Sequence, residues 1–145
     1  MASLIFKISE SVNLEGVKYG AETQKSITGV DEFSRRILTT DGTTATTIAS
    51  FGSVVAGDTY IQANARYVRI TNLDGGNYVA LSVTLDTGST AVRLDPGASY
   101  LLISTSATGF ATYADAGAVS LDNVTAITAT ANTAACDLEI VVASA

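Results

Sequence analysis

The chain has 145 residues, 47% hydrophobic and 15% charged, with 8 basic side chains against 14 acidic ones and a net charge of -6. That length builds one domain with its own core, and the acidic balance excludes the phosphate-neutralising surface that duplex nucleic acid needs. There is no His, no Trp and a single Cys, which excludes imidazole general-base chemistry, His-based zinc sites, an intramolecular disulfide and a thiolate cluster.

Taken in chain order, almost every segment reads as strand. Thr, Val, Ile and Tyr suit a pleated surface, and the stretches rich in Ala carry no helical period. Residues 4–9 alternate Leu4, Phe6 and Ile8 against Ile5 and Lys7. Residues 24–30 and 33–39 flank a turn at 29–32, and the Thr-rich stretch 43–51 is expected at a sheet edge. In residues 65–72, Arg66, Val68 and Ile70 share one face, and Tyr67, Arg69 and Thr71 the other. In residues 78–85, Val79, Leu81, Val83 and Leu85 alternate with Tyr78, Ala80, Ser82 and Thr84. Asp74, Gly75 and Gly76 lie between these two strands, so a tight hairpin with positive φ angles is expected there. Residues 91–94 and 100–105 flank Asp95, Pro96 and Gly97, which has the signature of a type II turn. The last strand sets Leu138, Ile140 and Val142 on one face.

Eight to ten short strands at regular spacing predict an all-β fold, an antiparallel β-sandwich or a jelly-roll-like barrel with little or no helix. The expected core is Phe6, Ile8, Val68, Ile70, Val79, Leu81, Val83, Leu85, Leu102, Leu138, Ile140 and Val142. No domain boundary interrupts residues 1–145. An extended N-terminal segment, residues 1–25, is expected to contact neighbouring subunits. Residues 105–123 read as a long loop with Phe110 and Tyr113 as apolar anchors, and loops of that length usually bind something.

Chemistry is sparse. The sequence has no phosphate-binding glycine loop, and the lysines at 7, 18 and 25 sit in polar contexts that leave a serine nucleophile without a base. Asp31, Glu32, Asp86, Asp95, Asp115 and Asp122 fall at loops and strand ends, where Asp bonds its own backbone. Asp115, Asp122 and Asn123 lack the spacing of a calcium-binding helix–loop–helix, leaving only the option of a structural cation in a β loop. The expectation is therefore a non-enzyme with no catalytic residue, no cofactor and no metal. Arg35 and Arg36 form the one adjacent basic pair. Arg66 and Arg69 lie on opposite faces, so the inward one needs a carboxylate, from Asp74 or from another subunit. These four arginines, with Phe110 and Tyr113, are the candidate interface residues.

Residues 66–74, 77–81 and 92–97 together resemble a pattern in small virion structural proteins of tailed bacteriophages. The shared arrangement is an aromatic–Val–Arg–Ile–Thr–Asn–Leu strand, a hairpin, an alternating strand and then Leu-x-Pro/Ala-Gly. It covers roughly residues 35–105. The resemblance implies a capsid cement or decoration protein that stabilises the head shell, or alternatively a neck, tail or baseplate part. The implied partners are the major capsid protein and further copies of this chain, expected as a trimer, with no direct nucleic-acid contact and no membrane. The implied location is the virion, after assembly in the host cytoplasm. Mean hydropathy of +0.32 fits apolar surface beyond the needs of one core.

Two other classes remain open from the residues. One is a ligand- or glycan-binding β module using Tyr60, Tyr67, Tyr78 and Tyr113. The other is a small β-sandwich lyase or hydrolase, which requires a cleft with at least two convergent ionisable groups. Asn123 to Thr125 matches a glycosylation triplet. The start of the chain is too short an apolar run, broken by Lys7, for a secretory signal, so that match is expected to be coincidental.

Overall fold

Period-two alternation places side chains on two faces, and the faces come out as expected. In the computed structural model, which describes residues 2–106, 108–112 and 121–145, Val68 and Ile70 are fully buried on one side of their strand. Val79, Leu81, Val83 and Leu85 are buried along the next one, and Leu138, Ile140 and Val142 along the last. The described strands are β1 (Ser3–Leu14), β2 (Val17–Thr28), β3 (Glu32–Thr40), β4 (Thr46–Gly52), β5 (Thr59–Ile61), β6 (Ala65–Asn72), β7 (Val79–Leu85), β8 (Ser89–Leu94), β9 (Ser99–Ile103), β10 (Ala111–Thr112), β11 (Asp122–Ala131) and β12 (Cys136–Ser144). Among the described residues the helical content is one 3-10 turn, Gln62–Asn64. The fold is all-β.

Two sheets face each other. One runs β3-β12-β6-β9, and the other β5-β4-β11-β7-β8, with β10 paired to β11. Their inner faces share one core, in which Val68, Ile70, Leu138 and Ile140 of the first sheet meet Ile48, Leu81, Val83 and Ile127 of the second. This is a sandwich whose layers bury each other's apolar face. A separate two-stranded ribbon, β1-β2, lies outside it.

The expected hairpin at 73–77 is not one. β6 pairs with β12 and β9, whereas β7 pairs with β11 and β8. The six residues between them carry the chain from one sheet to the other. Gly75 and Gly76 are absent from the positive-φ residues. The turn is made instead by the Asp74 carboxylate, which accepts from the Gly76 and Asn77 amides at 2.7 and 2.6 Å. Those bonds hold its carboxyl below the usual range. Buried Asn72 anchors the crossing: its Nδ2 donates to the Asn77 and Leu94 carbonyls at 2.9 and 3.1 Å, and its Oδ1 accepts from the Asp74 amide at 3.0 Å.

The Pro96-Gly97 turn forms as a type II turn, with Gly97 at φ 73° and the Ala98 amide bonded to the Asp95 carbonyl at 3.0 Å. It too links the sheets, β8 to β9. β4, expected at an edge, lies inside its sheet between β11 and the three-residue β5.

Three members of the expected core stand apart. Phe6 is half-buried, Ile8 is 43% exposed and Leu102 is half-buried at the margin. Phe6 and Ile8 belong to the outer ribbon, which has only one sheet face beneath it.

Candidate functional site

The ribbon is the feature that most needs explaining. Leu14 and Val17 close it around Glu15 and Gly16, both at positive φ (51° and 84°), which is the two-residue turn that matches strand twist. Register puts Leu4/Ile27, Phe6/Lys25, Ile8/Thr23, Glu10/Ala21, Val12/Tyr19 and Leu14/Val17 on one face. The other face carries Ser3, Lys7, Ser9, Ser11, Asn13, Lys18, Glu22, Gln24, Ser26 and Thr28, with Ile5 its one large apolar side chain. A Lys7–Glu22 ion pair at 3.2 Å lies on that polar face.

The base of the apolar face is seated. Leu4, Phe6 and Ile27 pack on Tyr67, Val141, Ala143, Leu101 and Ile103, on the outer side of the β3-β12-β6-β9 sheet. Phe6 lies 5.6 Å from Tyr67, centroid to centroid. This seat buries Tyr67 although it points away from the sandwich core. Beyond it the same face is bare: Ile8, Val12, Leu14, Val17 and Tyr19 are 43–62% exposed. A shallow hollow of about 420 Å³ is lined there by Glu10, Ser11, Val12, Tyr19, Gly20 and Ala21. Gly20 permits this close coiling, because a Cβ on it would sit 2.8 Å from the Glu10 carbonyl oxygen.

Beside the seat, the outer sheet face carries a charge cluster. The Glu139 carboxylate, almost buried on β12, accepts from Arg35 Nε at 2.8 Å, from Arg35 Nη2 and from Arg69 Nη2. Hydrogen bonds from Arg35, then Arg69, hold the carboxyl below its usual range against the opposing effect of burial. Arg69 also donates to Thr71 Oγ1 at 2.8 Å, and Thr71 shares a hydrogen bond with Ser99. On either side of Arg35 along β3, Phe33 and Ile37 are 57% and 63% exposed.

The candidate interface residues divide accordingly. Arg35 and Arg69 come together on Glu139. The expected acid partner, Asp74, takes no part. Arg36 points the other way and joins the two sheets at their open edge, donating to Asp58 and to the Ile48 carbonyl. Arg66 donates to the carbonyls of Ala63, Ala65 and Ser106 at 2.6, 3.3 and 3.0 Å, so its inward-face position is satisfied by backbone rather than by a carboxylate.

Phe110 is a correction. It is 3% exposed, packed edge-on against Phe51 at 5.6 Å, and belongs to the core rather than to a contact loop. Gly109 allows this: at φ 82° its missing Cβ would fall 2.2 Å from the Gln62 carbonyl oxygen. Tyr113 lies outside the described residues.

Sequence reasoning missed Glu139 and the outer half of the ribbon's apolar stripe, Val12, Leu14, Val17 and Tyr19. The stripe was readable as alternation on both sides of Glu15-Gly16. Glu139 was not, because an acid alternating with Leu138 and Ile140 reads equally as solvent-facing.

Other chemistry does not converge. Tyr60 and Tyr67 are buried and Tyr78 lies under the Arg93 guanidinium, so these three tyrosines form no open groove. Asp86 and Asp122 are tied to Asn123 and Thr87, Asp95 to Arg93, and Asp41 to the Thr43 and Thr44 amides. Among the described residues no three Cys, Asp or Glu side chains come together as a metal would need. Burial pushes the Cys136 thiol up, away from reactivity. No helix among the described residues is long and apolar enough to cross a membrane. No family model, curated protein or solved structure matches the chain.

Proposed function

We propose that this chain is a structural protein of a tailed-phage virion, a cement or decoration protein that stabilises the head shell as a homo-oligomer, expected as a trimer, seated on the major capsid protein. The observation that carries the reading is the amphipathic ribbon. Its base is docked on its own domain, and its outer half presents bare Val12, Leu14, Val17 and Tyr19. Exposed apolar surface of that kind marks a contact with another protein. Among the described residues Asp41, Asp74, Asp86, Asp95, Asp122 and Glu139 are held in turns and ion pairs rather than gathered in a cleft, which favours an assembly role over turnover. A net charge of -6 suits the outside of a shell, where phosphate contacts offer nothing. In this reading the protein works by many modest contacts repeated over a symmetric lattice, with no catalytic step and no cofactor.

The test compares particles assembled with and without the protein. Heat release of packaged DNA should begin at lower temperature when it is missing, and a whole-particle reconstruction should place its density outside the shell. Density in a neck or tail ring, with unchanged heat release, would move the protein to the connector or baseplate. No density at all would end the virion reading.

A further inference from the structure

The ribbon's seat and the pattern on β3 bear on what covers the bare stripe. The cleft under Phe6, Lys7 and Ile8 is walled by Tyr67, Arg69, Ser99 and Leu101, which belong to β6 and β9. The ribbon's seat therefore lies over β6, β9 and the neighbouring β12. β3 is the edge of that sheet opposite β9, and its Phe33 and Ile37 stand exposed, outside the cluster that seats the chain's own arm. Both surfaces are unfilled, and they match. Along the arm the exposed face reads Ile8, Glu10, Val12; along β3 the outer face reads Phe33, Arg35, Ile37. Each is apolar, charged, apolar at the same two-residue repeat, with charges of opposite sign. Arg35 uses Nε and Nη2 on Glu139 and leaves Nη1 without a partner among the described residues.

We infer that the outer half of the ribbon docks on the β3 outer face of a second copy of this chain, with Val12 and Ile8 against Phe33 and Ile37, and Glu10 beside Arg35. The contact continues the interface that already seats the base of the same stripe on the same sheet face. It is heterologous, one copy's arm on the next copy's edge, so it closes into a ring when the rotation permits. A ring in which every copy gives one arm and receives one gains strength from closure. The inference rests on the reading of the chain as self-associating, but not on which particle it serves.

The test uses the full chain and two charge insertions at exposed positions, Val12→Asp on the arm and Ile37→Asp on β3. Light scattering after size exclusion should show a ring for the unaltered chain and the single-chain mass of 14.9 kDa for each variant, with melting curves that match the unaltered chain diluted until it is monomeric. An equimolar mixture should form a dimer and nothing larger, because Ile37→Asp keeps a working arm and Val12→Asp keeps a working β3 face. An Ile37→Asp chain that still assembles at full mass overturns the arm-on-β3 contact while leaving a self-associating virion protein intact. A monomeric unaltered chain at micromolar concentration overturns both the contact and the homo-oligomer.

Discussion

Replacing Phe110 with Ala separates a core residue from a contact residue. Phe110 is 3% exposed and lies edge-on to Phe51, whose ring also neighbours Tyr60 at 6.3 Å. A buried Phe withholds at least ~150 Å² from water, so at ~25 cal/mol per Å² the loss of the ring costs about 4 kcal/mol. The aromatic contact with Phe51 adds about 1 kcal/mol, and the Phe110 carbonyl, held by the Val124 amide at 2.9 Å, keeps the backbone from collapsing into the cavity. With a urea m-value of roughly 2 kcal/mol/M for a chain of this size, the unfolding midpoint should fall by about 2.5 M. Urea unfolding followed by far-UV circular dichroism reads this directly, at several protein concentrations so that association does not enter. A midpoint moved by less than about 0.3 M, together with lost self-association, would refute the core placement and return Phe110 to an interface.

Three further outcomes follow from described contacts. Glu139→Gln should cost about 1–3 kcal/mol at pH 7 by weakening the bonds to Arg35 and Arg69. The folded carboxyl titrates below its unfolded value near ~4.3, so its stabilisation is complete above that pH and is lost as pH falls through the folded value; denaturation curves of parent and variant should converge in acid, and a gap that widens there would contradict the assignment. Gly109→Ala should lower the melting temperature by roughly 4–8 °C or more, from at least about 2 kcal/mol of left-handed strain and overlap with Gln62, whereas Gly75→Ala, with nothing within 4 Å of its Cβ, should change it by under about 2 °C; equal effects would show that the 109–110 lock is absent. Asn72→Ala strips partners from two carbonyls and an amide at the sheet crossing and should cost about 2–3 kcal/mol, measured by chemical denaturation, with a neutral result excluding the crossing as an anchored element.

What the sequence disclosed was the face of each strand, and what it withheld was the neighbour. Alternation places Val68 and Ile70 inward because side chains on a strand take opposite sides, and that holds whichever strand lies alongside. The same alternation is silent on whether β7 returns beside β6 or crosses to the other sheet. Asp74, Gly75 and Gly76 permit both, and the deciding group is Asn72, whose partners at 77 and 94 exist only once both sheets do. Phe110 was opaque for a similar reason: among small residues a lone Phe suits a contact loop as well as a core, and Gly109 acquires meaning only when Gln62 is beside it. The pairing of Arg35 and Arg69 through Glu139 spans 104 and 70 positions, far beyond any local pattern. The resemblance read in residues 35–105 leaves out β11 and β12 as well as the ribbon, where the unpartnered surface lies.

The order of strands carries a consequence for how the chain is made. β12 is bracketed by β3 and β6, and β11 by β4 and β7, so the strands that join each sheet's halves are synthesised after the strands they join. Until residues 122–144 emerge from the ribosome, the described strands can form only two-stranded pieces, β1-β2, β4-β5, β7-β8 and β6-β9, none of which is stable alone in water. The sandwich thus closes like a zip whose slider is threaded last, and for most of translation its apolar strand edges wait open to one another and to every neighbouring chain.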